Sequence, residues 1–425
     1  MAVSHERSDG ESMLQGSVSK HGFIMAIIAV LFIFQSPLEG LWGMFSYIDE
    51  FVAIMALPLT IVYWGQVKAL LKQRKLFIAV VAFAVFIISG LTGNLIYHYQ
   101  PWNAVMVDLF TNMKFYMALL TGYFLFPKMS WQVLRKYTSI VARFSSVLLM
   151  IIFFIDRLFK LYGSDVRYGI RSAKLFYSHP TYLAGALIFL LSILSITYKK
   201  THTKYIVMDV VILMFTLRSK AVVGAAVYIF LYWYMLKRKR KLKIWQLVCI
   251  AIMAILLAWQ QIYFYYFALA GEGARSALTL TGFQILKDYF PIGSGFGTFA
   301  SHVAAEHYSP LYIKYGIDKI YGLGPEGSFL DDTFWPIVIG QTGALGIISY
   351  FLVLATLVCA CLRLKKANNT FYMGAIYMLA YLLIASMAEP AFNNSVATPL
   401  AFLLGIIFRK SCIMEKRRTQ DQILQ

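Results

Sequence analysis

Arg167 and Arg171 lie four residues apart in a segment, 156–180, that carries five basic and two acidic residues. On a helix this spacing places both guanidiniums on one face, about one turn from each other. Paired guanidinium forks suit a diphosphate, because each can bond two oxygens in a plane. Snorkelling toward lipid headgroups is the alternative use of the same pair. Arg218 and Lys220 stand together between two apolar runs, and Lys114 lies inside a third. An ionisable group at that depth usually faces a polar cavity and marks function. The chemistry common to these cations is the holding of an anion where water is partly excluded.

The elements that must position them are membrane-length helices. Hydrophobic residues make up 60% of the 425 and charged residues 14%, and apolar runs recur from end to end. The pattern predicts an all-α polytopic membrane protein, a single membrane domain over 1–425. About twelve spans are expected, near 20–36, 47–65, 76–96, 106–126, 138–155, 181–198, 205–217, 221–236, 244–266, 334–361, 371–388 and 392–409. The pieces on either side of Arg218-Ser219-Lys220 are short and could instead form one broken hairpin. No small-residue cleavage site follows the first run, so it reads as a retained span.

Lys and Arg set the orientation. With a cytoplasmic N-terminus, 26 of the 39 basic residues fall in the inward-facing connections, and the short outer loops 36–47, 97–105 and 389–391 hold none. Both termini are then cytoplasmic, and most of the net charge of +19 is topology rather than a nucleic-acid surface. Five of the cations above, Lys114 among them, lie toward the face that should be poor in them. The four cysteines, at 249, 359, 361 and 412, lie in or near spans and lack CxxC spacing, so neither a disulfide nor a zinc site is expected.

A large outer loop, 267–333 between spans nine and ten, carries four basic and seven acidic residues. It is rich in Tyr, Phe and Gly, a composition suited to sugar binding or to an interfacial helix. A helix over 275–289 is expected, ended by a tight turn at Gly293-Ser294-Gly295-Phe296-Gly297. That glycine run follows no strand and is no dinucleotide loop. His302 and His307 are five apart and fit no zincin spacing.

The run Arg275…Gly282…Asp288-Tyr289-Phe290-Pro291…Gly293…Gly295-Phe296-Gly297…Phe299 resembles the conserved stretch of the O-antigen polymerase and ligase superfamily. The resemblance extends to Asp332-Thr333…Gly343…Gly346, to Ser219-Lys220 and to the layout with one late outer loop. Its members are bacterial membrane glycosyltransferases that use polyprenyl-diphosphate glycan donors. It implies glycosyl transfer on the outer face of the inner membrane, in lipopolysaccharide or capsule biosynthesis, with no cofactor or metal. Arg275, Arg167, Arg171 and Arg218 or Lys220 would stabilise the leaving diphosphate, with Lys114 deeper in support. Asp332 would take the acceptor's proton, with Asp331, Glu272 and Glu389 as alternates. An Asp before an apolar helix is also a standard N-cap, and that reading of Asp332 stays open.

The ligase branch carries a His where this chain has Asp332, which favours the polymerase branch. A His brought close to Asp332, such as His302 or His307, would favour a ligase instead. A lipid-linked oligosaccharide exporter is the reading from another class. It should carry charge along a central cavity and often an internal repeat, neither of which is visible here. Expected partners are lipid-linked donor and acceptor glycans, membrane lipids and a chain-length regulator.

Overall fold

The computed structural model describes residues 20–125, 127, 130–163, 165–264 and 272–423. The chain is an all-α bundle with a single two-stranded hairpin among the described residues. Its helices are α1 (Lys20–Ile33), α2 (Gln35–Leu41), α3 (Ile48–Ile54), α4 (Ala56–Val62), α5 (Trp64–Leu71), α6 (Arg74–Tyr97), α7 (Trp102–Phe124) and α8 (Trp131–Phe159). The hairpin β1 (Val166–Arg167) and β2 (Ile170–Arg171) follows. Then come α9 (Pro180–Ile196), α10 (Thr203–Phe215), α11 (Ser219–Leu231), α12 (Ile244–Ile262), α13 (Ala274–Asp288), α14 (His302–Glu306), α15 (Pro310–Lys314), α16 (Trp335–Ala367), α17 (Asn369–Ala385) and α18 (Ala397–Ile423).

Among the described residues, six helical stretches are long and apolar enough to cross a membrane, or seven if one bent pair is counted as a span. The bent pair is α1 and α2, which meet at 75°. The apolar pattern ends at that bend: α1 is apolar, whereas α2 reads Gln-Ser-Pro-Leu-Glu-Gly-Leu. Two further apolar helices, α9 and α17, are shorter, and both are buried along most of their length. The chain is thus a membrane-embedded helical protein.

The centre of the bundle is built on close backbone contacts. Helix α7 packs along α18, where a Cβ on Gly122 would strike the Phe402 carbonyl and one on Gly405 the Leu119 carbonyl. Helix α6 packs along α16, which is broken at Gly343, with φ 61° and ψ −159°. Only glycine adopts that conformation without strain. The break frees backbone groups, and the turn after α13 takes them up. Ser294 N donates to Gly340 O at 2.9 Å, Gly295 N donates to Gln341 O at 2.9 Å, and Leu345 N donates to Pro291 O at 3.1 Å.

Polar side chains hold the same turn from the other side. Ser89 Oγ donates to Ile292 O and Thr342 O. The Asn94 amide donates to Phe296 O at 2.9 Å and accepts from Phe296 N at 2.7 Å. Asp108 Oδ2 accepts from Gly297 N at 2.9 Å. Irregular backbone is tolerated among spans only where such partners satisfy it. The glycine run is therefore more than a helix terminator. It is wedged between α6, α7 and the break in α16, and it fixes where α13 stands relative to α16.

Candidate functional site

The sequence spacing of Arg167 and Arg171 predicts a shared helix face, and the structure differs. The two residues lie on β1 and β2, in antiparallel register Val166↔Arg171 and Arg167↔Ile170. Tyr168 and Gly169 both have positive φ, 53° and 73°, which matches the two-residue turn that closes a tight hairpin. Cross-strand partners share a face, so Arg167 and Arg171 project to opposite faces. Arg171 turns back onto α8. It donates to Asp156 Oδ2 at 2.9 Å and to Tyr162 O at 2.6 Å, and Arg157 Nη1 donates to Arg171 O at 2.6 Å. Asp156 is buried, and its other oxygen accepts from Tyr162 N at 3.0 Å. Arg171 thus anchors the hairpin to the end of α8.

Arg167 belongs to a second group. Asp165 Oδ2 accepts from Arg218 Nη2 at 2.9 Å and lies 3.8 Å from Arg167 Nε. Arg218 is the residue before α11, and its Nη2 also lies 3.0 Å from Nε2 of His179, the residue before α9. A guanidinium only donates, so this contact, like the 3.2 Å one from Thr181 N to Nδ1, needs an unprotonated ring nitrogen, of which the neutral imidazole offers one. Burial and the Arg218 charge hold the His179 ring down to a pKa of about 4, which agrees. Three segments far apart in sequence therefore meet at one end of the bundle.

Beside them, in the first turn of α11, Lys220 forms an ion pair with Glu389, which follows α17. The Lys220 charge also acts on Asp332, which ties this pair to a third. Arg275, in the first turn of α13, donates to Asp332 Oδ2 at 3.0 Å. Burial raises the Asp332 carboxyl above its ordinary value, and the Arg275 charge opposes that rise. Asp332 does not cap α16. That helix begins at Trp335 after Phe334, with no side-chain cap among the described residues. The capping alternative for Asp332 is thereby removed.

One residue away, Asp331 Oδ2 lies 3.4 Å from Nδ1 of His302, the first residue of α14. The hydrogen bond to Asp331 raises the His302 pKa against the opposing effect of burial. His302 is thus brought to the neighbour of Asp332, although thirty positions of chain hide this in the sequence.

Lys114 is set apart from these groups. It donates to Asp49 Oδ2 at 2.6 Å, and Asp49 Oδ1 accepts from Gln35 Nε2 at 2.8 Å. Both charged side chains are nearly inaccessible, so the pair locks α7 to α3 and to the bend before α2. A cleft opens beside that bend, against α9. Phe32, Ile33, Phe189, Val396, Glu39 and Tyr182 are among the residues that line it. Tyr182 lies within range of the Glu389 and Asp331 charges, which places the cleft next to the polar groups.

Each of the candidate cations thus has an acidic partner: Asp49, Asp156, Asp165, Glu389 or Asp332. Sequence reasoning named Glu389 and Asp331 only as alternates and gave Asp49, Asp156, Asp165 and His179 no part. The pairs span 53 to 169 positions, apart from the 15 between Asp156 and Arg171 and the two between Asp165 and Arg167, so spacing carries no signal for most of them. The hairpin did carry one, in Gly169 between Val166-Arg167 and Ile170-Arg171. Glu272, the remaining alternate base, is exposed two residues before α13. No protein-family model and no curated protein matches this chain.

Proposed function

We propose that this chain is a bacterial inner-membrane glycosyltransferase that polymerises lipid-linked glycan repeat units. The donor is a glycan on a polyprenyl diphosphate such as undecaprenyl diphosphate, and the acceptor is a sugar hydroxyl on a second lipid-linked unit. In this reading the chain crosses the membrane about twelve times with both termini cytoplasmic. The site end of the bundle then faces outward under the 267–333 loop.

The observation that carries the reading is the Arg275–Asp332 pair, 3.0 Å apart beside Lys220 and Glu389. The acceptor oxygen attacks the anomeric carbon, and the bond from that carbon to the phosphate oxygen breaks. The electron pair leaves with the diphosphate, and the hydroxyl proton passes to a base. Asp332 suits the base, since burial raises its affinity for a proton. Arg275 orients it in the free protein. When the diphosphate shares that guanidinium, the carboxylate loses part of its counter-charge and becomes more basic. Arg218 and Arg167 supply further fixed positive charge for the leaving group.

A ligase that moves finished glycan to another acceptor is the second reading. The 3.4 Å approach of His302 to Asp331 favours it, because it supplies an oriented imidazole next to Asp332. The glycan profile of cells lacking this protein separates the readings. A surviving single repeat unit supports the polymerase, and long chains retained on the lipid carrier support the ligase. Failure of any lipid-linked unit to reach the outer face points to an exporter and overturns both.

A further inference from the structure

The five acids that partner the cations are not equivalent. Asp156 and Asp49 expose 1% and 3% of their side chains and serve as fixed counter-charges. Asp165 exposes 55%, while the Arg218 it holds exposes only 13%. An exposed acid on a half-enclosed guanidinium is the member of the pair that leaves at little cost.

Arg218 is also incompletely bonded. Its Nη2 serves Asp165 and His179, but its Nε is a buried donor with no acceptor among the described residues. Nε and Nη2 form one edge of the guanidinium, the edge that a phosphate or carboxylate takes with two oxygens. Asp165 uses half of that edge. Its Oδ2 is also drawn toward Arg167 Nε at 3.8 Å, so two guanidiniums share one carboxylate and a positive charge is left over. The main chain of Asp165 is tethered independently, because its carbonyl accepts from Ser172 N at 2.9 Å. The side chain can therefore swing away without opening the hairpin.

We infer that Asp165 is an internal stand-in for a phosphate oxyanion: it occupies the Arg218–Arg167 site in the free protein, and the donor's phosphate displaces it on binding. The displaced ligand fills both halves of the Arg218 edge and reaches Arg167, which a single carboxylate held at 3.8 Å does not. This rests on the donor chemistry proposed above, and it adds a competitor built into the hairpin.

The test is binding of inorganic pyrophosphate to the full chain in phosphatidylcholine nanodiscs, measured calorimetrically. Asp165→Asn is expected to bind roughly fivefold tighter than the wild type, the equivalent of removing one exposed ion pair. Glu326→Gln removes an exposed acid from another segment outside the bundle and is expected to leave binding unchanged. Arg218→Ala is expected to lose it. Unchanged or weaker binding by Asp165→Asn overturns the stand-in while leaving the phosphate site in place. An equal gain from Glu326→Gln also overturns it, since the effect would then be general charge. Absence of binding by every form, or full binding by Arg218→Ala, removes the phosphate site and the donor reading with it.

Discussion

The Arg275 guanidinium meets the Asp332 carboxylate at 3.0 Å across 57 positions of chain, joining the first turn of α13 to the segment that leads into α16. Both ends of this link belong to the stretch on which the proposed glycosyltransferase reading rests. The link itself depends on the glycine turn after α13, which sets that helix against the break in α16.

Arg275→Ala is expected to lower polymer formation by on the order of a hundredfold or more at normal protein level, as removal of a fixed donor from a developing anion does. Arg275→Lys should restore only part of it, because the ammonium lacks the planar fork. Turnover in membranes, normalised to protein amount, checks both. Full activity in Arg275→Ala would take this residue out of the mechanism.

The pH profile separates the two candidate bases. A base must be unprotonated to act. Burial raises Asp332 from the ordinary 3.8, so turnover should fall as pH drops through a value above 3.8. Asp331 raises His302 from the ordinary 6.5, so a His302 base would place the fall above 6.5. The account predicts an acidic limb that lies above 3.8 and is kept in His302→Gln, with turnover lost in Asp332→Asn. A limb above 6.5 that vanishes in His302→Gln would transfer the role to His302.

Gly343→Ala is expected to destabilise the protein by roughly 1–3 kcal/mol from backbone strain alone. A Cβ there would also meet the Gly293 nitrogen and the Pro291 carbonyl. The melting temperature in detergent should fall, and activity should fall with it through the displaced α13. A normal melting temperature would mean that the turn is not held as described.

Lys114→Met leaves the Asp49 carboxylate buried without its cation, at a cost of about 3–5 kcal/mol. Lys114→Met with Asp49→Asn should recover most of that stability. Thermal unfolding of the single and double variants checks this. A Lys114→Met variant that melts normally yet has no turnover would return Lys114 to the substrate-binding role that its depth in the sequence first suggested.

Much of the scaffold is legible in the sequence because hydrophobic periodicity is local. The helix read over 275–289 is α13 at Ala274–Asp288, and the turn read after it is present. The hairpin departs from the shared helix face that the four-residue arginine spacing predicts, because its local signal is confined to the Tyr168-Gly169 turn between Val166-Arg167 and Ile170-Arg171. The partners of the cations were not legible. An ion pair between Lys220 and Glu389, or between Lys114 and Asp49, is made by tertiary packing, and no pattern along the chain encodes it. The same holds for Asp108 and Asn94, polar residues inside apolar helices whose work is to satisfy the backbone of a distant turn.

The most direct test of the account uses the purified protein with a single synthetic polyprenyl-diphosphate repeat unit and no other acceptor. The account predicts a ladder of lipid-linked oligomers and release of one polyprenyl diphosphate for each bond formed, both absent in Arg275→Ala. An active preparation that consumes the donor only when a separate, non-prenyl acceptor is supplied would contradict polymerisation and leave the ligase reading in its place.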